Sequence, residues 1–235
     1  MYSKISIVTD FKFTVVDTAV IIDIYSFTSV IPILLNRKPK RLITIGGSLE
    51  NAIKFKEEIC HECTFVIGDP PKSDFPPSPL LFYYKSKFKG NRLENCTFIY
   101  QSSNGSQMLD GVKAKEIIIC SFFNIKAVYN YLNNNKPNSI QIVCSGFKGK
   151  RAVEDEVCAE YLKSLLEGEE DTPRRYINYL MRIFKGEQEG DFLPRAILTP
   201  PIEMLGFCLR KDITNTVPIA RKNGRFFEII NGTKG

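Results

Sequence analysis

The sequence predicts an α/β fold, layered α/β/α, with a mixed, largely parallel sheet and a C-terminal β-hairpin. Three observations carry that expectation. Short runs rich in β-branched residues recur: ISIV, AVIIDI, RLITI, TFVIG, TFIYQ, EIIIC and SIQIVC, the pattern of strands. Helical patterns lie between several of them, and such alternation marks α/β layering. The runs are also apolar nearly throughout, as strands covered on both faces are.

Each element has its own local reason. The run ending Val20-Ile21-Ile22-Asp23 passes through Ser26-Phe27 into a helix-like segment, SVIPILL. EIIIC passes likewise through Ser121-Phe122 into NIKAVYNYL; the echo is either an old duplication or chance. Ser48 is the expected N-cap of a helix carrying Ala52, Phe55 and Ile59 at helical spacing. Asn124 is the expected cap of another, with Ala127, Val128, Tyr131 and Leu132 on one face. The clearest helix follows Arg151, where Val153, Val157, Cys158, Tyr161, Leu162, Leu165 and Leu166 make an apolar stripe. Thr172-Pro173 offers a cap followed by proline at the first helical position, with Tyr176, Ile177, Leu180 and Phe184 as the buried face.

Between Asp69 and Pro79 the five prolines of DPPKSDFPPSP preclude regular structure. That stretch is either a rigid wall over a site or a surface excursion. Leu80 to Phe88, LLFYYKSKF, reads equally as an interface for a second copy of the chain, hence a homodimer, or as an edge strand. Near the end, Val217 to Ala220, Asn223-Gly224 and Arg225 to Ile230 read as a hairpin with a type I′ turn. The 235 residues suit a single α/β domain over 1–235, or two tightly packed lobes.

Composition narrows the function classes. Lys+Arg 32 against Asp+Glu 26 gives a net charge of +6. The excess suits a small anionic ligand, and without a long basic run interleaved with aromatics it argues against nucleic acid. No apolar run reaches the roughly 18 residues a membrane span needs and no signal peptide opens the chain, so a cytoplasmic protein is expected. Of the seven cysteines, Cys60 and Cys63 stand in CHEC with the single His, His61. That is too few ligands for a zinc site, and the spacing leaves a Cys60–Cys63 disulfide open. Cys120, Cys144 and Cys158 lie in apolar runs, where cysteine acts as a small hydrophobe.

Ligands of open α/β sheets bind where strands give way to loops at their carboxyl ends. Those positions hold Asp23, Tyr25, Ser26 and Thr28; Gly46, Gly47 and Ser48; Asp69; Ser102, Ser103, Asn104 and Gly105; and Ser145, Gly146, Lys148, Gly149, Lys150 and Arg151, followed by Glu154 and Asp155. Hydroxyls and glycines can cradle an oxyanion and cations can neutralise it. Carboxylates can hold Mg²⁺, which takes one or two of them and completes its shell with phosphate oxygens. Phosphoryl chemistry needs mainly positioning and charge neutralisation, so this set suits a phosphatase. Each residue also has a structural reading. Asp23 can be a strand-end residue accepting backbone N–H groups, Ser102 to Gly105 only a turn, and Glu154 and Asp155 acids favoured in a helix's first turn. A haloacid-dehalogenase mechanism is disfavoured, because Tyr25 stands where its second Asp belongs.

The order of these motifs resembles the 2-phosphosulfolactate phosphatase family, Mg²⁺-dependent phosphomonoesterases of coenzyme M biosynthesis. That family runs from Ile-Asp-Val and Leu-Arg-Ala-Thr-Thr through Gly-Glu-Arg-Gly, Asn-Ser-Pro and Thr-Thr-Asn-Gly-Thr to Cys-Ala-Gly and Glu-Asp. The counterparts are VIIDIYSFTS (Val20 to Ser29), IGDPP (Ile67 to Pro71), PPSP (Pro76 to Pro79), SSNGS (Ser102 to Ser106) and VCSGFKGKRAVEDEVCAEYL (Val143 to Leu162). SFFNIKAV (Ser121 to Val128) and CLRKDITNTVP continue the likeness, which spans about Asp17 to Pro218.

The resemblance implies Asp23, Glu154 and Asp155 as catalytic residues, and Asp23, Asp69, Glu154 and Asp155 as ligands of Mg²⁺. It implies Ser26, Ser102, Ser103, Asn104, Gly105, Ser145, Gly146, Lys148 and Arg151 as the cradle of a small anionic phosphorylated metabolite. The attacking group is either a water activated by the metal or a carboxylate. Departures stand beside the matches. The family's Arg falls on Ser26, its Glu-Arg pair on Asp69 and Pro70, its Asn on Pro77, and its Gly after Cys-Ala on Glu160. Neither Ser nor Pro replaces an arginine fork on an anion; Lys148, Lys150 or Arg151 would have to compensate. Two functions are therefore open: an Mg²⁺-dependent phosphatase for a small anionic phosphoester, or an inactive relative that binds a small anion or a partner.

Overall fold

A computed structural model describes residues 4–59, 63–69, 71–83, 93–169 and 202–233, together with Asn178, Leu180 and Arg182. Its strands are β1 (Lys4–Val8), β2 (Val15–Ile22), β3 (Arg41–Thr44), β4 (Thr64–Ile67), β5 (Thr97–Tyr100), β6 (Lys113–Ile119), β7 (Ser139–Cys144), β8 (Pro218–Asn223) and β9 (Phe226–Asn231). The described helices are α1 (Phe27–Asn36), α2 (Leu49–Ile59), α3 (Pro79–Tyr83), α4 (Gly105–Gly111), α5 (Ile125–Asn135), α6 (Val153–Glu167) and α7 (Ile202–Cys208).

All nine described strands join one sheet in the order β1-β7-β2-β6-β8-β9-β3-β5-β4. Two parallel blocks, β1-β7-β2-β6 and β3-β5-β4, are bridged by the antiparallel β8–β9 hairpin, which pairs with β6 on one side and β3 on the other. Parallel neighbours need long crossovers, which the helices supply. Inserting the hairpin gives an inner edge of each block a partner and so removes two exposed strand edges. This is the mixed, largely parallel sheet that the sequence predicts.

The apolar character of the strands has its reason in the layers. Val20 and Ile22 of β2 pack with Val128 and Leu132 of α5 and Val157, Cys158 and Leu162 of α6. Ile21, between them, packs on the other face with Phe27, Val30 and Ile31 of α1. Successive strand side chains point to opposite faces, so a strand buried on both sides must be apolar without alternation. A third cluster joins Ile43, Val66 and Ile99 to Ala52 and Phe55 of α2.

Local expectations meet mixed outcomes. Ser48 precedes α2 and its hydroxyl accepts from the Asn51 N–H at 3.4 Å. Asn124 precedes α5, but the capping side chain is that of Ser121, which accepts from the Phe123 N–H; the Asn124 amide accepts from the Ser121 N–H and donates to the Ile119 and Thr216 carbonyls. The hairpin turn is a correction. The first strand runs three residues past Ala220, to Asn223, and the second begins one residue after Arg225, leaving Gly224 and Arg225 as the two-residue loop. Only Gly224 has positive φ, +62°, whereas type I′ needs it at both central residues. Leu80 to Tyr83 lie in α3, not in an edge strand.

Cys63 bonds Cys96, not Cys60. The pairing follows from β4 lying beside β5, which brings together residues 33 apart in the chain. Cys60, His61, Pro70, Tyr84 to Phe88 and, apart from Asn178, Leu180 and Arg182, the helix expected after Thr172 lie outside the described residues. Among the described residues no helix is long and apolar enough to cross a membrane.

Candidate functional site

Asp23 stands one residue past β2 and is fully buried. Its N–H donates to the Thr28 hydroxyl at 3.0 Å, and its carbonyl accepts from the Thr28 N–H at 2.9 Å. Those two bonds turn the chain from strand into α1, with the Ser29 hydroxyl donating to the Ile24 carbonyl at 2.8 Å. The Asp23 carboxylate faces the Ser102–Ser106 loop. Its Oδ2 accepts from the Gly105 N–H at 2.9 Å and from the Ser102 hydroxyl at 3.4 Å. The structural reading of Asp23, a strand-end acid holding backbone N–H, therefore describes part of what it does.

Glycine is required at 105 for that approach. A Cβ there would lie 2.4 Å from Phe27 Cδ1 and 2.7 Å from Asp23 Oδ2. The loop closes on itself: the Ser102 hydroxyl accepts from the Gly105 and Asn104 N–H groups at 3.1 and 3.3 Å, and the Ser106 hydroxyl bridges the Ser102 N–H and carbonyl. Four strands separate β2 from β5 in the sheet. The loop still reaches Asp23 because α4 carries the chain from β5 back to β6, the neighbour of β2.

A third segment arrives from β7. Asp155, in the first turn of α6, accepts from the Ile24 N–H at 2.8 Å through Oδ1 and from the Gly146 N–H at 3.0 Å through Oδ2. One carboxylate thus ties the end of β2 to the loop after β7. Gly146 has φ +63°, and a Cβ on it would meet the Lys150 carbonyl at 2.2 Å, so the Phe147–Lys150 turn closes only over glycine. The two loops meet where the Lys148 N–H donates to Asn104 Oδ1 at 3.3 Å.

Asp23, Glu154 and Asp155 are all fully buried. Burying carboxylates is costly unless fixed donors compensate, and the Gly105, Ile24 and Gly146 N–H groups are such donors. Two donors in the same loops remain unused: Asn104 Nδ2 and Ser145 Oγ have no hydrogen-bond partner among the described residues, although their residues are only 6% and 2% exposed. An unmade buried hydrogen bond costs about 1–3 kcal/mol, and such groups persist where a ligand or water completes them.

The other predicted residues divide. Ser26 is buried and shares a hydrogen bond with the Tyr100 hydroxyl at 3.2 Å. Lys148 is exposed, its ammonium over the Phe147 ring, and Ser103 is exposed. Arg151 has both arms of its guanidinium on Glu156, in the first turn of α6. Asp69 is exposed on the loop after β4. Among the described residues no three Asp, Glu, His or Cys side chains gather as a metal-holding group, so the four predicted acids do not assemble as one ligand set. Burial pushes the Cys144 and Cys158 thiols well above their ordinary range, helped by nearby Asp155, and makes them packing groups, not nucleophiles.

Sequence reasoning missed Tyr100, because an aromatic ending a strand looks like core. It also missed the Thr28 side chain as the partner of the Asp23 N–H, although an Asp followed five residues later by Thr at a strand-to-helix turn carries a trace of that signal.

Comparison with known proteins identifies the family. The family described as 2-phosphosulpholactate phosphatase matches residues 6–223. A probable 2-phosphosulfolactate phosphatase of Thermotoga petrophila is 29% identical over 208 residues, covering 86% of this chain and 88% of that protein. One of Thermotoga maritima is 27% identical over 215 residues, covering 89% and 91%, and one of Clostridium acetobutylicum 28% over 222 residues, covering 86% and 88%.

Proposed function

Because the chain belongs to the 2-phosphosulpholactate phosphatase family, we propose that it hydrolyses a small anionic phosphoester at the carboxyl ends of β2, β5 and β7. One observation carries the reading: three distant segments meet around buried Asp23 and Asp155, and two unused buried donors, Asn104 Nδ2 and Ser145 Oγ, stand in their loops. The phosphatase class follows from the family; the residue roles are the proposal.

The Asn104 amide and Ser145 hydroxyl donate to phosphoryl oxygens, and Lys148 adds a cation from the rim. Asp23, held by the Gly105 N–H, takes the proton of the attacking water. Asp155 is a positioning residue that locks the end of β2 to the β7 loop. The donor chemistry also fits Mg²⁺. A hard cation that takes one or two carboxylates and finds its other oxygens in water and phosphate needs no three-acid cluster. Asp23 and Glu154 would hold it, Asp155 being committed to two backbone N–H groups. Bound there, the ion would neutralise charge on the phosphoryl group. Where the family carries an arginine, the substrate's second polar group meets the neutral Ser26–Tyr100 hydroxyl pair. An ester lacking a sulfonate is therefore a fit substrate.

The test is phosphate release from 2-phosphosulfolactate, 2-phospholactate and related esters, with Mg²⁺ and with EDTA, by wild type and Asp23→Asn. Release that needs Mg²⁺ and disappears in Asp23→Asn is the expected result. Turnover unchanged in the variant removes Asp23 from the site. Phosphate binding without turnover of any ester would make the chain a small-anion binder instead.

A further inference from the structure

The geometry points to a second ligand site, for a small organic anion with an apolar body, in a cleft between β6 and β8. It stands apart from the phosphatase reading and does not depend on it. β6 and β8 share only two ladder pairs, Ile117–Ala220 and Ile118–Ile219. Both strands continue past that point. β6 stays paired with β2 back to Lys113, and β8 stays paired with β9 on to Asn223. Two strands inside the sheet therefore part from each other while each keeps its other neighbour, and the gap is a cavity of about 480 Å³. That volume lies within the roughly 300–1,000 Å³ of small-molecule sites.

The chemistry of the lining selects the ligand. Leu109, Ile117 and Phe227 supply apolar lining from one face of the sheet and Ile219 from the other. On the rim, Lys115 pairs with Asp17 at 2.6 Å, and the Glu116 carboxylate accepts from the Tyr131 hydroxyl at 2.8 Å. Arg221 makes no ion pair among the described residues. Its neighbour Lys222 holds Asp110 at 3.2 Å with both side chains half-exposed or more, a contact that water screens and a ligand displaces cheaply. An exposed guanidinium grips a carboxylate or sulfonate with two parallel N–H bonds. Apolar lining within the gap beside such a fork suits an aryl or alkyl acid.

Anilinonaphthalene sulfonate has both parts and reports binding by fluorescence. Titration of the whole protein should give one saturable site. Arg221→Glu should weaken it at least tenfold, Arg221→Lys less, and Ala114→Trp, which fills the cleft, should abolish it. Arg221 is on the surface, so its variants fold whatever Ala114→Trp does. Affinity unchanged in Arg221→Glu, or fluorescence that never saturates, would overturn the assignment.

Discussion

The two ends of α4 hold their carboxylates in opposite ways. At its first residue, Gly105 gives a backbone N–H to Asp23, which is fully buried and fixed by groups that cannot turn away. At its far end, Asp110 meets the Lys222 ammonium on a half-exposed rim. Backbone donors are pre-oriented and dry, so charge placed against them is strongly constrained and its loss is expensive. A flexible lysine in water offers little of either. The same short helix thus joins a rigid place suited to chemistry and an adaptable place suited to reversible binding.

The largest expected effect lies at the rigid end. Asp23→Asn keeps the shape and an acceptor for Gly105 but removes the charge and the base, so kcat/KM should fall by roughly 10²- to 10³-fold or more, read from phosphate release. A fold-preserving loss is what the proposed role demands, and circular dichroism alongside the assay separates it from unfolding.

Gly105→Ala comes next, and attacks the same contact from the other side. Its new methyl would overlap the Phe27 ring and the Asp23 carboxylate. Phe27 sits in the core against Tyr100, so the loop must move instead. Overpacking of this kind costs about 1–3 kcal/mol, measured by urea unfolding, and activity should fall with it. Full activity at lowered stability would show that Asp23 does not need this loop.

What the sequence revealed follows a similar division. Strands β1 to β7 are legible as short runs rich in β-branched residues; where burial covers both faces, as in β2, β5 and β7, the runs are apolar nearly throughout, and Asp23 stands out against one. SSNGS and the α6 acids were readable as loop and first-turn residues. The use of Arg151 on Glu156, the Ser26–Tyr100 pair and the Cys63–Cys96 bond were not. The last two depend on which elements become neighbours, which local pattern does not encode; the first is a local pair, five residues apart, hidden because Arg151 also reads as a loop cation. The resemblance puts Asp69 in the metal set, but β4 is the outermost strand and Asp69, on the loop after it, is exposed. The cleft escaped notice for another reason: β6 and β8 each read as an ordinary strand, and only their parting makes the cavity.

At the adaptable end effects shrink. Asp110→Asn should lower stability by no more than about 1 kcal/mol. The wild-type advantage should fade further as salt is raised, since screening removes an exposed pair's attraction. A larger, salt-independent loss would mean that the two ends of α4 are equally rigid and would break the contrast.

The smallest effect is a pH dependence beside the cleft. Burial first, then its hydrogen bond to the Glu116 carboxylate, pushes the Tyr131 phenol up to about 12, against an ordinary value of about 10. Between those values the unfolded chain gives up this proton more readily than the folded one. The unfolded state binds fewer protons there, so stability falls as pH rises. The contribution is whole below about pH 10 and lost as pH climbs through about 12. Other tyrosines and lysines titrate in the same range, so the informative quantity is a difference. Between pH 9 and 12, urea midpoints of wild type should decline more steeply than those of Tyr131→Phe, which has no proton to lose. Parallel declines would mean that Glu116 does not hold the phenol in solution. Its carboxylate would then be open to the cleft, and the rim would be more acidic than the proposed anion site requires.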